Sequence, residues 1–148
     1  MILHLLFLLI FTLMILSISS NFSYAEFDEK LNEKSMFGKA IVNIGDFDGD
    51  GITDLAVGAP YDDDGGLNSG AIYILFMNND GTVKSHQKIS DSTGNFEGNL
   101  LEGDSFGRSI ANIGDFDGDG IVDLAVGSYW DDDGGLNSGA IYILFMNN

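Results

Sequence analysis

The sequence predicts an all-β chain built from two copies of one four-stranded antiparallel unit, and three observations predict it. The stretch from Asp46 to Asp54 recurs from Asp115 to Asp123, a shift of 69 residues. A period that long marks a repeat architecture. Short apolar runs alternate with Asp-Gly and Asn-Asp-Gly turn chemistry, which favours strands over helices. Twenty glycines stand against a single proline, Pro60, so many tight turns are expected and long helices are not.

The chain opens on an apolar run from Ile2 to Ile18. Ser23 and Ala25 then fit the small-residue positions of a leader-peptidase site, which predicts a signal peptide over 1–25. No Lys or Arg precedes the run, so a retained membrane anchor is the alternative. Both place the rest of the chain outside the cytoplasm, secreted or at the cell surface. A membrane partner follows only if the leader stays uncleaved.

The first unit is expected over 26–95. Lys39 to Gly45 is a β-rich run that ends at an acidic loop. Leu55 to Ala59 and Ala71 to Met77 are apolar on both faces, so both faces must be covered. Thr82 to Ile89 alternates more and reads as a wetter outer strand. The turns between these runs are the acidic loop itself, Asp62 to Gly66, and Asn78 to Gly81. A four-stranded sheet stacked between copies of itself is a propeller blade. The second unit is expected over 96–148. Phe96, Leu100 and Glu102 repeat Phe27, Leu31 and Glu33, and Gly134 to Asn148 repeats Gly65 to Asn79 without a change. This unit has no counterpart of Asp80 to Asn95, so the propeller is expected to be incomplete. Further blades or self-association are the ways to complete it, and a fragment of a longer protein is the leading expectation.

The acidic loop carries the chemistry. Asp46, Asp48, Asp50 and Asp54 stand at positions 1, 3, 5 and 9, with Gly51 at the sharp turn and the Ile52 carbonyl at position 7. Asp115, Asp117, Asp119, Ile121 and Asp123 repeat the set. In a tightly wound loop alternate residues point to one centre, and hard oxygen ligands in that number suit Ca²⁺. Zinc would require His or Cys. Two carboxylates about 5 Å apart repel by roughly 3 kcal/mol at an effective dielectric near 20, so a closed loop calls for a cation. An EF-hand shares these positions but needs a Glu at position 12 and flanking helices; Val57 and Val126 stand there. A solvated Asp-Gly turn without an ion is weakened by the loop's recurrence. Two Ca²⁺ sites are therefore expected. Phe47 and Phe116, at position 2, point away from the ion and are expected to anchor each loop in the core. The Asp62–Asp64 and Asp131–Asp133 runs read as solvated turn tips rather than a second pair of ion sites. Tyr61 and Trp130 read as rim packing.

The formal charge is −17, from 23 acidic and 6 basic residues. A phosphate backbone needs Lys and Arg, so nucleic acid is excluded as a partner. The chain has no cysteine, which removes disulfides and thiolate chemistry. His86 has no counterpart in the second unit, and no nucleophile elbow is present. The chain is not expected to be an enzyme.

Phe37-Gly38, the Asp46–Asp54 loop and Leu55-Ala56-Val57-Gly58-Ala59-Pro60 together resemble the FG-GAP repeat of integrin alpha-chain β-propellers. Phe106-Gly107, Asp115–Asp123 and Leu124 to Tyr129 repeat the pattern, with Ser128 and Tyr129 in place of Ala59 and Pro60. The resemblance implies a calcium loop in the hairpin between the first two strands of each blade. It also implies an extracellular recognition or adhesion role, with a protein or glycan as partner. A structural accessory segment, or a propeller part attached to a hydrolase, is the alternative.

Overall fold

The computed structural model describes residues 34–147. The expected leader over 1–25 and the upstream residues Phe27, Leu31 and Glu33 lie outside them. Among the described residues no helix is long and apolar enough to cross a membrane.

Among the described residues seven strands form two antiparallel sheets. β1 (Ile41–Gly45), β2 (Asp54–Ala59), β3 (Ala71–Met77) and β4 (Val83–Ser90) make a four-stranded meander, each strand hydrogen-bonded to the next. β5 (Phe106–Gly114), β6 (Asp123–Ser128) and β7 (Ala140–Leu144) make a three-stranded one in the same order. The all-β reading holds. β3 has the bounds expected of it, while β1, β2 and β4 differ at their ends by one or two residues.

The 69-residue repeat extends to the pairing register. Asn43 sits opposite Leu55 and Asn112 opposite Leu124, and each is followed by a bulge at Gly45 or Gly114. Local chemistry fixes that bulge: the Asn43 side chain accepts the Gly45 amide at 2.8 Å, and Asn112 accepts Gly114 at 2.9 Å. A side chain that bonds its own backbone two residues on interrupts the ladder and turns the strand. The Asn112 amide nitrogen also donates to the Asn43 carbonyl at 3.1 Å, tying the two sheets at this point.

The core lies between the sheets. Ile72 and Ile74 of β3 are fully buried, with Ile44, Ala56 and Ile89, against Phe106, Leu124 and Val126 of the second sheet. Burying one such aliphatic side chain is worth about 1.5–3 kcal/mol. β5 supplies most of the contact, packing on β1, β2 and β3. The chain reaches it by retracing the β2–β3 connection of the first sheet. The amides of Gly103, Ser105 and Phe106 donate to the carbonyls of Leu67, Asn68 and Ser69 at 2.9–3.0 Å. Phe106-Gly107 then lies against backbone. A Cβ on Gly58 would stand 1.9 Å from the Gly107 carbonyl oxygen, and one on Gly70 2.2 Å from that of Phe106. Glycine is required at both positions by close approach.

Burial separates the two copies where sequence does not. β3 is buried over Ala71–Leu75, whereas β7, identical over its five residues, is exposed or half-exposed throughout. Phe47 is buried and packs on Phe76, as expected of a loop anchor. Phe116 is not: it is 71% exposed and touches Phe145 at the surface. The first sheet is covered by the second, and among the described residues no third sheet covers the second.

Candidate metal centre

Each acidic loop joins the first two strands of its sheet, β1 to β2 and β5 to β6. The loop winds because successive carboxylates cap amides ahead of them. Asp48 accepts the Asp50 amide and Asp50 accepts the Ile52 amide, at 3.2 and 2.9 Å. Asp117 and Asp119 do the same for Asp119 and Ile121, at 3.1 and 2.8 Å. Asp46 reaches the Gly51 amide and Asp115 the Gly120 amide, both at 2.9 Å. Gly51 and Gly120 take φ of +88° and +94°, a conformation open to glycine and costly for other residues.

The winding gathers oxygens. Asp46, Asp48 and Asp50 place one carboxylate oxygen each within 4.8 Å of one another. In the second loop the gathered trio is Asp115, Asp117 and Asp123, by the same measure. Asp54 and Asp119 stand outside these trios, and the contacts of Ile52 and Ile121 described above run through their amides. Oxygen-only donor sets of this charge suit a hard cation. The first loop already holds one of the protein's own: the Lys84 ammonium on β4 lies 2.7 Å from Asp48 and 2.7 Å from Asp50. Its hydrogen bond holds the Asp50 carboxyl below the usual carboxylate range and pushes the ammonium above its own. Nothing in the sequence marks Lys84, because its meeting with the loop depends on how β4 pairs with β3.

Asp54 and Asp123 do more than face the loop. Both are fully buried. The Asp54 carboxylate accepts the Phe47 amide at 2.9 Å with one oxygen and the Met77 amide at 2.9 Å with the other. Asp123 takes the Phe116 and Met146 amides at 2.8 and 2.9 Å. Each thus latches its loop to the end of the third strand of the same sheet.

The second acidic runs are not simply turn tips. Asp62 and Asp131 are buried, while their neighbours at 63, 64, 132 and 133 are exposed. The Tyr73 hydroxyl donates to Asp62 at 3.0 Å, and the Lys88 ammonium lies 2.7 Å from Asp62 and 3.0 Å from Asp64. Burial and the neighbouring Asp62 charge push the Tyr73 hydroxyl up to about 12. In the second sheet the Tyr142 hydroxyl donates to Asp131 at 2.7 Å. Asp104 also faces this cluster. Burial raises its carboxyl, and the charges of Asp131, Asp132 and Asp133 raise it further.

A raised carboxyl pKa means that the folded state holds its proton more tightly than the unfolded chain. Stability then falls as pH rises through the window above the ordinary value, near 3.9. Asp104→Asn keeps an acceptor for the Leu101 amide, 2.7 Å away, and removes the charge. The variant is expected to melt a few degrees higher at pH 7, the shift that about 1 kcal/mol produces in a domain of this size. The gain should vanish below about pH 4. Melting curves across that range check it, and a lower melting temperature at pH 7 would refute the repulsion.

Comparison with known proteins follows the same residues. A family model, the FG-GAP repeat, matches 37–75 and 106–144. Integrin alpha-2 of Mus musculus is 39% identical over 94 residues, 62% of this chain and 7% of that protein. Integrin alpha-4 of Xenopus laevis is 35% identical over 97 residues, 65% of this chain and 9% of that protein. Integrin alpha-PS2 of Drosophila melanogaster is 38% identical over 105 residues, 68% of this chain and 7% of that protein. The chain thus spans less than a tenth of the length of these relatives. The matched segments carry both Phe-Gly turns and both acidic loops and make up just over half of the chain, which belongs to the FG-GAP repeat family.

Proposed function

We propose that this chain is a calcium-binding, extracellular β-propeller segment that serves protein recognition or cell adhesion. Residues 26–95 and 96–148 form its successive blades behind the leader at 1–25. One observation carries the reading: the same connection in both sheets gathers three carboxylates, and in the first it has drawn a lysine ammonium onto two of them. In the first site Asp46, Asp48 and Asp50 hold the ion, with the Ile52 carbonyl and Asp54 completing the set. In the second, Asp115, Asp117, Asp119, Asp123 and the Ile121 carbonyl do so. The cation neutralises the repulsion among the carboxylates and stiffens the hairpin. A stiffened loop edge then presents a fixed surface to an extracellular protein or glycan. The carboxylates are committed to ligation, so the reading assigns no catalysis.

The two sites differ. Lys84 competes for the first, and among the described residues no lysine or arginine forms an ion pair with the second. Calorimetric titration with Ca²⁺ is therefore expected to show two unequal steps, the second loop filling first. At tenfold excess over its dissociation constant each site adds about 1.4 kcal/mol by mass action. EDTA should lower the melting temperature, and added Ca²⁺ should restore it. Asp48→Ala combined with Asp117→Ala should remove that response. Absence of both heat and a melting shift would refute the calcium reading. Loss of binding to arrayed matrix proteins and glycans in EDTA would support the recognition reading, and no binding in Ca²⁺ would count against it.

A further inference from the structure

Two lysines of β4, four residues apart, each hold two carboxylates, and they do so in different surroundings. The Lys88 side chain is 18% exposed and that of its partner Asp62 4%, so this pair is part of the packed sheet. The Lys84 side chain is 42% exposed, and those of Asp48 and Asp50 are 23% and 30% exposed. Ion pairs as open to water as these contribute little. An ammonium held in this way is open to exchange for another cation.

Lys84 reaches the loop through an irregularity in the sheet. Phe76 pairs with Ser85 and Met77 with Val83, which leaves Lys84 as the extra residue of a bulge. A bulge re-aims a side chain. Met77, beside it on β3, is the residue whose amide Asp54 accepts, so bulge and loop meet at one end of the sheet.

Asp48 and Asp50 divide their oxygens. One oxygen of Asp48 accepts the Asp50 amide and one of Asp50 accepts the Ile52 amide, at 3.2 and 2.9 Å. The other oxygen of each accepts the Lys84 ammonium, both at 2.7 Å. The atoms that wind the loop are therefore not the atoms that hold the cation. Another cation can take the same two oxygens without rewinding the loop. With no cation there, Asp46, Asp48 and Asp50 each keep an oxygen within 4.8 Å of the others, and their charges repel.

We propose that Lys84 is a displaceable internal cation that regulates the first metal loop. Its ammonium keeps the loop wound when Ca²⁺ is scarce, and Ca²⁺ binds by taking its place. The exchange rests on the calcium reading of the loop. Because each ion must first displace the lysine, the apparent affinity of this loop is lower than that of its bare carboxylates. The first site is thereby set to respond at higher Ca²⁺ than its own ligands dictate.

The test is Lys84→Met, which keeps the aliphatic stem and removes the charge at an exposed position. It is made in the full chain carrying Asp117→Ala, so that the heat of a Ca²⁺ titration comes from the first loop. The reference is the Asp117→Ala chain with Lys84 intact. Lys84→Met should tighten Ca²⁺ binding about tenfold, roughly what two exposed ion pairs contribute. Lys84→Arg should keep the weaker binding. In EDTA the Lys84→Met chain should melt below the reference, and in saturating Ca²⁺ the two should melt together. A lysine with a structural role alone would lower the melting temperature in both conditions. Unchanged affinity in Lys84→Met, or a melting loss that persists in saturating Ca²⁺, would overturn the exchange and leave the calcium reading standing. No heat from any of these chains or from the wild type would overturn the calcium reading, and the exchange with it.

Discussion

Gly58→Ala is expected to loosen the contact between the two sheets. The added methyl would stand 1.9 Å from the Gly107 carbonyl oxygen, and the obstacle is backbone rather than the end of a flexible side chain. Overpacking that side chains can relieve costs about 1–3 kcal/mol. Here Phe106-Gly107 must withdraw and take the cover off Ile72, so a loss at or above the top of that range is expected. Denaturant unfolding should show the lower midpoint. Ser109→Ala with Gly127→Ala adds the same methyl at the repeated position, where among the described residues no further sheet lies, and is expected to leave the midpoint nearly unchanged. Equal losses in both would mean that the methyl disturbs its own strand, and that the sheet contact is not the cause.

Asp54→Ala is expected to be as damaging, for a different reason. The carboxylate is fully buried and accepts the backbone amides of Phe47 in the loop and Met77 at the end of β3 at 2.9 Å each, with a longer bond of 3.4 Å from the Asp48 amide. Each amide left unpaired away from water costs about 1–3 kcal/mol, so the pair costs about 2–6 kcal/mol. That is a large share of the roughly 5–15 kcal/mol that holds a domain folded. Asp54→Asn should recover part of the loss, since its single carbonyl oxygen serves one amide while its NH₂ faces the other. The decisive condition is EDTA. A structural latch remains costly to lose without the metal, whereas a residue acting only as a ligand would show no effect there. A vanished difference between wild type and Asp54→Ala in EDTA would refute the latch.

Much of the fold was legible because its causes are local. The bounds of β3 follow from an apolar run between a glycine pair and an Asn-Asn-Asp-Gly turn, and both signals lie within a few residues of each other. The acidic loops could be placed for the same reason: their winding depends on carboxylates reaching amides two to five residues ahead, and on Gly51 and Gly120 at the turns. Lys84 and the Asp54–Met77 bond could not be read this way. They join residues 23 to 36 positions apart, and strand pairing decides that they meet.

By itself the sequence determined the repeat, the order of strands and turns, and the two clusters of acidic side chains, because periodicity and turn chemistry act over a few neighbouring residues. Only the tertiary structure decided which copy of an identical segment is buried. Ile72 and Ile141 share the same neighbours in sequence, yet one is fully covered and the other 73% exposed. Burial depends on what packs across a face, and the second sheet packs across the first.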